Sequence, residues 1–451
     1  MVGLSNRLSR WTLAMFACAL INFLLAQALI VAGIAWPVGA LTGGATLAAV
    51  HLVTIGWLSV LILGALFQFV PVITTRPLLD QRLSGTALVL IEAGLVGMVA
   101  GFFTLGVWGT ASAVCLTVGG SAVAVGAIFA IVNLVSPLLH THPLPLPGRF
   151  VRAGLFFLVV TMFLGLVFAL TLSVPALCPP PLVRLIDGVG YHALAGIGGW
   201  LTLTAMGVSY KLLPMFMLAP EARGRWGETT FKMGVAGFGI AVGAGLLGLW
   251  LPGPAVRFGG RVGWLFIGMS ITVYLVDLVR LYRARRRPQI EIHNRAAAGA
   301  FISLALALVA TVLFVVAGQP ARDVPPIILL ILFGWLSGLG LTQLYKVIPF
   351  LSWLTRFGPV VGRGKIPRVQ DMVRESRAAP WFWLYFGGVA LSVVGATTEA
   401  SVVVRTGVAL SMVATSGLCV EYWRAWRGTY ALPTPMVPSS TSAILKEELK
   451  P

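Results

Sequence analysis

The sequence predicts an all-α integral membrane protein, with twelve transmembrane helices arranged in three pseudo-symmetric four-helix repeats. Three observations carry this prediction: an apolar composition, basic residues that alternate from one side of the chain's path to the other, and a motif that occurs three times. With 58% hydrophobic and 10% charged residues, the chain has too little polar surface for a soluble globule. Crossing about 30 Å of hydrocarbon at 1.5 Å per residue takes roughly 20 apolar residues.

Runs of that length fall at 11–34, 44–73, 85–108 and 111–138, then at 151–175, 190–218, 230–251 and 260–282, and finally at 296–317, 325–355, 379–397 and 402–423. The second run of each group carries the motif. Gly56-Trp57-Leu58-Ser59 is followed by Gly64, Phe67 and Pro71; Gly199-Trp200-Leu201-Thr202 by Gly207, Tyr210 and Pro214; Gly334-Trp335-Leu336-Ser337 by Tyr345 and Pro349. The copies lie 143 and 135 residues apart, close to a third of the 451-residue chain. This periodicity defines repeats over 1–140, 141–288 and 289–430. Residues 431–451, rich in Pro, Ser, Thr and Lys, are expected to form a disordered cytoplasmic tail.

The net charge of +18 invites a nucleic-acid reading, but its distribution argues for topology instead. With the N-terminus inside, the opposite side of the membrane receives only Arg184, Arg257, Arg261, Arg322 and Arg405 of the 32 Lys and Arg residues described by composition. The positive-inside rule then puts both termini in the cytoplasm of a bacterial-type inner membrane, with no nucleic-acid partner. The first apolar run lacks a small-residue cleavage site and reads as a span. Cys18, Cys115, Cys178 and Cys419 form no CxxC pair; only Cys115 and Cys178 share the outer side.

Within each motif helix, glycine lets a neighbouring helix approach while tryptophan fills the adjoining gap. Gln68, Lys211 and Lys346 occupy equivalent positions beside the motif prolines. Their first reading is snorkelling to the cytoplasmic interface, with an anion, quinone or proton-path site as the second. Glu92, in the third run, is a candidate proton relay or a partner of Lys211 or Lys346. Asp277 and Glu421 read as interfacial.

Topology sorts the histidines into two groups. His140, His142 and His293 fall in cytoplasmic loops, and His140 and His142 lack the further ligands of a metal site. His51 and His192 lie in the outer thirds of motif helices, 20 and 22 residues before their prolines. Ala49 and Ile327 match His192, and Leu194 and Leu329 match His51. Two residues turn a helical side chain by about 200°, so the two histidines use opposite flanks of equivalent helices. In a ring of one hand, these flanks meet in a single intramembrane pocket.

This pattern resembles subunit I of the haem-copper oxidases and the related nitric oxide reductases. That family shares the threefold set of four-helix units, cytoplasmic termini and inner-helix histidines near the outer face. Its tenth helix carries a His-x-His pair facing two pores. His192 resembles the first member in register and His51 the second. The resemblance implies one b-type haem with His51 and His192 as axial ligands, with Trp57 and Trp200 as pocket residues. It also implies electron transfer or haem sensing beside other membrane subunits or an electron-transfer partner on the outer side.

There are departures from the family pattern: neither 230–251 nor 325–355 contains a histidine. The usual copper site and haem positions therefore cannot be assembled, and neither a copper site nor oxygen reduction is expected. No nucleophile or acid-base pair stands out as catalytic. The alternatives are a copper or haem transport or assembly factor, or a cofactor-free structural subunit in which the histidines only bond neighbouring helices. Met206, Met215 and Met217 suit Cu(I) by type, but the last two lie over roughly 30 Å from His192 along the helix.

Overall fold

The computed structural model describes residues 2–36, 43–107, 109–174, 178–220, 224–316, 324–358, 361 and 366–428. The expected tail, together with Arg322, lies outside them. Twelve long helices occur among the described residues: α1 (Val2–Val31), α2 (Gly44–Thr74), α3 (Arg82–Phe103), α4 (Thr110–Leu139), α5 (Leu146–Ser173), α6 (189–217), α7 (Arg225–Leu247), α8 (Pro254–Arg283), α9 (Ile292–Val316), α10 (Val324–Phe357), α11 (Glu375–Thr397) and α12 (Ser401–Arg427). Eleven are long and apolar enough to cross a membrane. The remaining one, α6, is long enough but includes Ser209, Tyr210, Lys211 and five glycines. Its polar groups face protein: Thr204 and Ser209 are buried, as are Trp200 and Tyr210.

The packing repeats. Within each set of four, the first helix packs on the second and the third on the fourth. Contacts of α4 with α5, α8 with α9 and α12 with α1 close the ring. The inner members, α2, α6 and α10, meet along a common axis.

Each inner helix widens into a π-helical segment at the motif: Leu52–Ser59, Leu194–Thr202 and Leu330–Ser337. Such segments widen the turn and leave backbone carbonyls partly free. Ser59 and Ser337 donate their hydroxyls to the carbonyls five residues back, Thr54 and Leu332, at 2.7 and 2.6 Å. The motif glycines mark the crossing with the first helix of each set. A Cβ on Gly56 would lie 2.8 Å from Asn22, on Gly199 2.3 Å from Phe157, and on Gly334 2.5 Å from Ser303.

Trp57, Trp200 and Trp335 fill the space around the axis and are almost wholly buried. Trp57 Nε1 donates to Ser337 Oγ at 2.8 Å, and Trp200 Nε1 to Ser59 Oγ at 3.0 Å. Tryptophan from one set thus bonds hydroxyl from the preceding set around the ring. Trp335 Nε1 has no such partner, and the corresponding hydroxyl residue is Thr202. All four cysteines are free thiols.

Candidate functional site

A cavity of about 290 Å³ opens where the first set of helices meets the second. His51 and His192 both lie on its wall, with Phe102, Thr161, Gly165 and Trp200 among the others. His51 ends the α-helical start of α2, and His192 occupies the same part of α6. The two-residue offset between them carries opposite flanks toward one space.

His51 is held by its own helix. Nδ1 lies 2.7 Å from the carbonyl oxygen of Leu47, so Nδ1–H donates there and Nε2 keeps its lone pair. Its ring lies against Phe102, with centroids 4.8 Å apart.

His192 is held differently. Its ring meets Phe168 edge to face at 5.4 Å. It also lies over Gly165, where a Cβ would come within 3.1 Å of Cε1. The Thr161 carbonyl faces the ring, yet Nδ1 is buried and has no hydrogen-bond partner. A buried ring nitrogen held this loosely is uncommon. The rest of the wall is largely apolar, relieved by Thr54, Ser59 and Thr161. Met98 and Met162 also line it; their sequence positions gave no signal, because α3 and α5 reach the cavity only through tertiary packing.

His51 and His192 are the residues on this cavity that could hold a haem iron. The residues can present two neutral nitrogen donors, and the glycine beside His192 leaves room where a side chain would intrude. Among the described residues, no Lys or Arg lines the cavity. Among the described residues, no group of three or more His, Cys, Asp or Glu side chains is placed to hold a metal ion.

Other sequence candidates lie elsewhere. Trp200 lines the cavity, but Trp57 does not: it stacks on Phe23 at 5.0 Å and turns its N–H to Ser337. Trp57 faces the axis because the ring is closed by all three motif helices. Glu92 does not meet Lys211 or Lys346; both its oxygens accept from Asn22 Nδ2, at 3.1 and 3.0 Å, and Asn22 also donates to Gly56 O. A pairing with α1 was hidden because side-chain partners across the first set have no sequence spacing.

Lys346 is not a free snorkelling side chain. Its Nζ is 2.6 Å from Glu291 Oε2, and the same carboxylate accepts from Arg287. Lys211 takes part in a contact of its own. His293 is not a solvated loop residue but a buried one in the first turn of α9, packed against Phe216 at 5.2 Å and 3.4 Å from Glu291. His140 and His142 are exposed. Asp277 and Glu421 are buried within the protein, the latter beside Arg424 at 2.6 Å. Met206 and Met217 are buried core residues, whereas Met215 is exposed.

Comparison with known proteins agrees with this architecture. Neither the protein-family models nor the curated proteins include a match to the sequence. Among solved structures, the chain is similar to one from a haem-copper terminal oxidase dimer determined by cryo-electron microscopy. The match has a TM-score of 0.58 at 12% identity and covers 96% of this chain and 85% of that one. The chain therefore has the fold of a haem-copper terminal oxidase chain, in an integral membrane protein.

Proposed function

We propose that this chain is a membrane haem protein that holds one b-type haem between His51 and His192 and passes single electrons or senses haem. The reading rests on one observation: two histidines from different helix sets share an apolar cavity. Held by the imidazoles of His51 and His192, such a group would supply one-electron transfer rather than substrate chemistry.

The chain's own groups prepare such a site. The Leu47 carbonyl fixes the His51 tautomer and makes its Nε2 a better donor. Phe102 and Phe168 hold the two rings and exclude water. Gly165 keeps the space beside His192 clear. Among the described residues, no acidic side chain lines the cavity beside the histidines, and the proposal includes no bond-making catalysis. An electron donor or acceptor on the basic-poor side, within a larger respiratory assembly, accords with a single site close to that side.

A reduced-minus-oxidised spectrum of the purified protein tests the reading, with His51→Ala and His192→Ala in parallel. A b-type band in the wild type, lost or shifted in each variant, is the expected result. Absence of the band, or its persistence unchanged in both variants, overturns it.

One observation favours a second reading. Met98 and Met162 share the cavity with the histidines, and thioethers with imidazoles suit Cu(I). In that case the protein handles copper, and metal analysis of haem-free material shows bound copper. Material free of both haem and copper identifies a structural subunit.

We further infer three repeats, 1–140, 141–288 and 289–430, with the basic face in the cytoplasm. A reporter fused after residue 451 should then be active only in its cytoplasmic form; periplasmic activity reverses the orientation.

A further inference from the structure

One face of α8 changes character at the membrane boundary. Leu265, Met269, Val276 and Val279 are exposed along a single helical stripe, and Arg280 and Arg283 continue it. Arg285 and Arg286 follow, also exposed. From the start of α7, Trp226 meets this end of the stripe. The Arg280 guanidinium lies 3.7 Å from the centre of its indole, and Arg225 lies 6.0 Å from it.

Acidic compensation is sparse. Asp277, buried one turn earlier, is the carboxylate that acts on Arg280. Glu228 is engaged by Arg149 at 2.5 Å. Among the described residues, no carboxylate pairs with Arg225, Arg283, Arg285 or Arg286. The excess of basic residues on this face accounts for orientation. It does not require two arginines to follow an exposed stripe that is apolar but for Thr272, whose hydroxyl bonds back to the Gly268 carbonyl, nor one of them to lie on an indole.

We propose that this corner of α7 and α8 is a binding site for an anionic phospholipid. Arg280 and Arg283 hold the phosphodiester, Trp226 sits at the glycerol level, and the acyl chains follow Leu265 to Val279. Guanidinium groups suit phosphate because their planar fork donates to two oxygens at once. Arg225 and Arg286 add longer-range attraction that salt screens.

The test is native mass spectrometry of the full chain from mixed micelles that contain either phosphatidylglycerol or phosphatidylcholine. The wild type should retain phosphatidylglycerol and not phosphatidylcholine. In Arg280→Gln/Arg283→Gln, retention should fall by an amount on the order of tenfold, while Arg10→Gln, an exposed charge at the start of α1, should retain it like the wild type. Trp226→Leu leaves every charge in place and should also weaken retention, which keeps the proposal testable if the double variant does not fold. Equal retention of the two lipids by the wild type, or unchanged phosphatidylglycerol retention in both altered proteins, overturns the site.

Discussion

Gly165 shows how a single residue can govern the candidate site. The missing side chain is what allows the Cε1 edge of the His192 ring to come so close to α5, since a Cβ would approach it to 3.1 Å. Gly165→Val should therefore push the ring out of place while leaving the helix, whose other contacts are untouched, in the membrane. The expected outcome is loss of most of the b-type band in protein that still elutes as a single species. A full-intensity band in Gly165→Val would show that the ring is free to move. The histidines illustrate what sequence spacing can reveal. Their offset of two residues was legible because three copies of a motif supplied a ruler. The bond from His51 to Leu47 was also local, four residues away. His293 was not legible, because its burial comes from Phe216 on another helix.

The inner helices explain why that ruler worked. Each carries a π segment at the motif, which no periodicity in the sequence reveals. Because all three carry it, the distance from histidine to proline passes through the same irregularity each time and the relative register survives. The glycine of the motif is a point of close approach on each inner helix. At Gly199, a Cβ would lie 2.3 Å from Phe157 Cγ, on a rigid and buried ring. Gly199→Ala should cost about 1–3 kcal/mol, the usual penalty for overpacking. Gly243→Ala, with nothing within 4 Å of the added carbon, should cost nothing measurable or stabilise α7 by removing a helical glycine. Thermal unfolding in detergent compares the two, and equal effects would count against a packing role for the motif.

At the scale of the molecule, three sets of helices depend on polar contacts between sets as well as on apolar packing. Glu291, in the chain segment before α9, accepts from Lys346 on α10 and from Arg287 after α8, and so joins the second set to the third. Removing Lys346 leaves a carboxylate that is only 18% exposed with one fewer cation. Lys346→Met should destabilise the protein more in the wild-type background than in a Glu291→Gln background. The coupling expected for contacting residues is about 0.5–3 kcal/mol, read from a double-mutant cycle of thermal unfolding. Additive effects would mean that the pair forms no functional link.

The sequence by itself determined the membrane class, the helix count and the placement of the inner helices, because burial in lipid requires long apolar runs and satisfied backbones whatever the neighbours. α6 was located by its motif although its polar residues weaken its apolar signal, since those residues face protein rather than lipid. Only the tertiary structure decided which side chains meet. It brought His51 and His192 to one cavity, added Met98 and Met162 to its wall, turned Trp57 toward the axis and paired Glu92 with Asn22. Those contacts depend on the hand and closure of the ring, which bring residues dozens to hundreds of positions apart within a few ångströms, and no local spacing in the chain records that geometry.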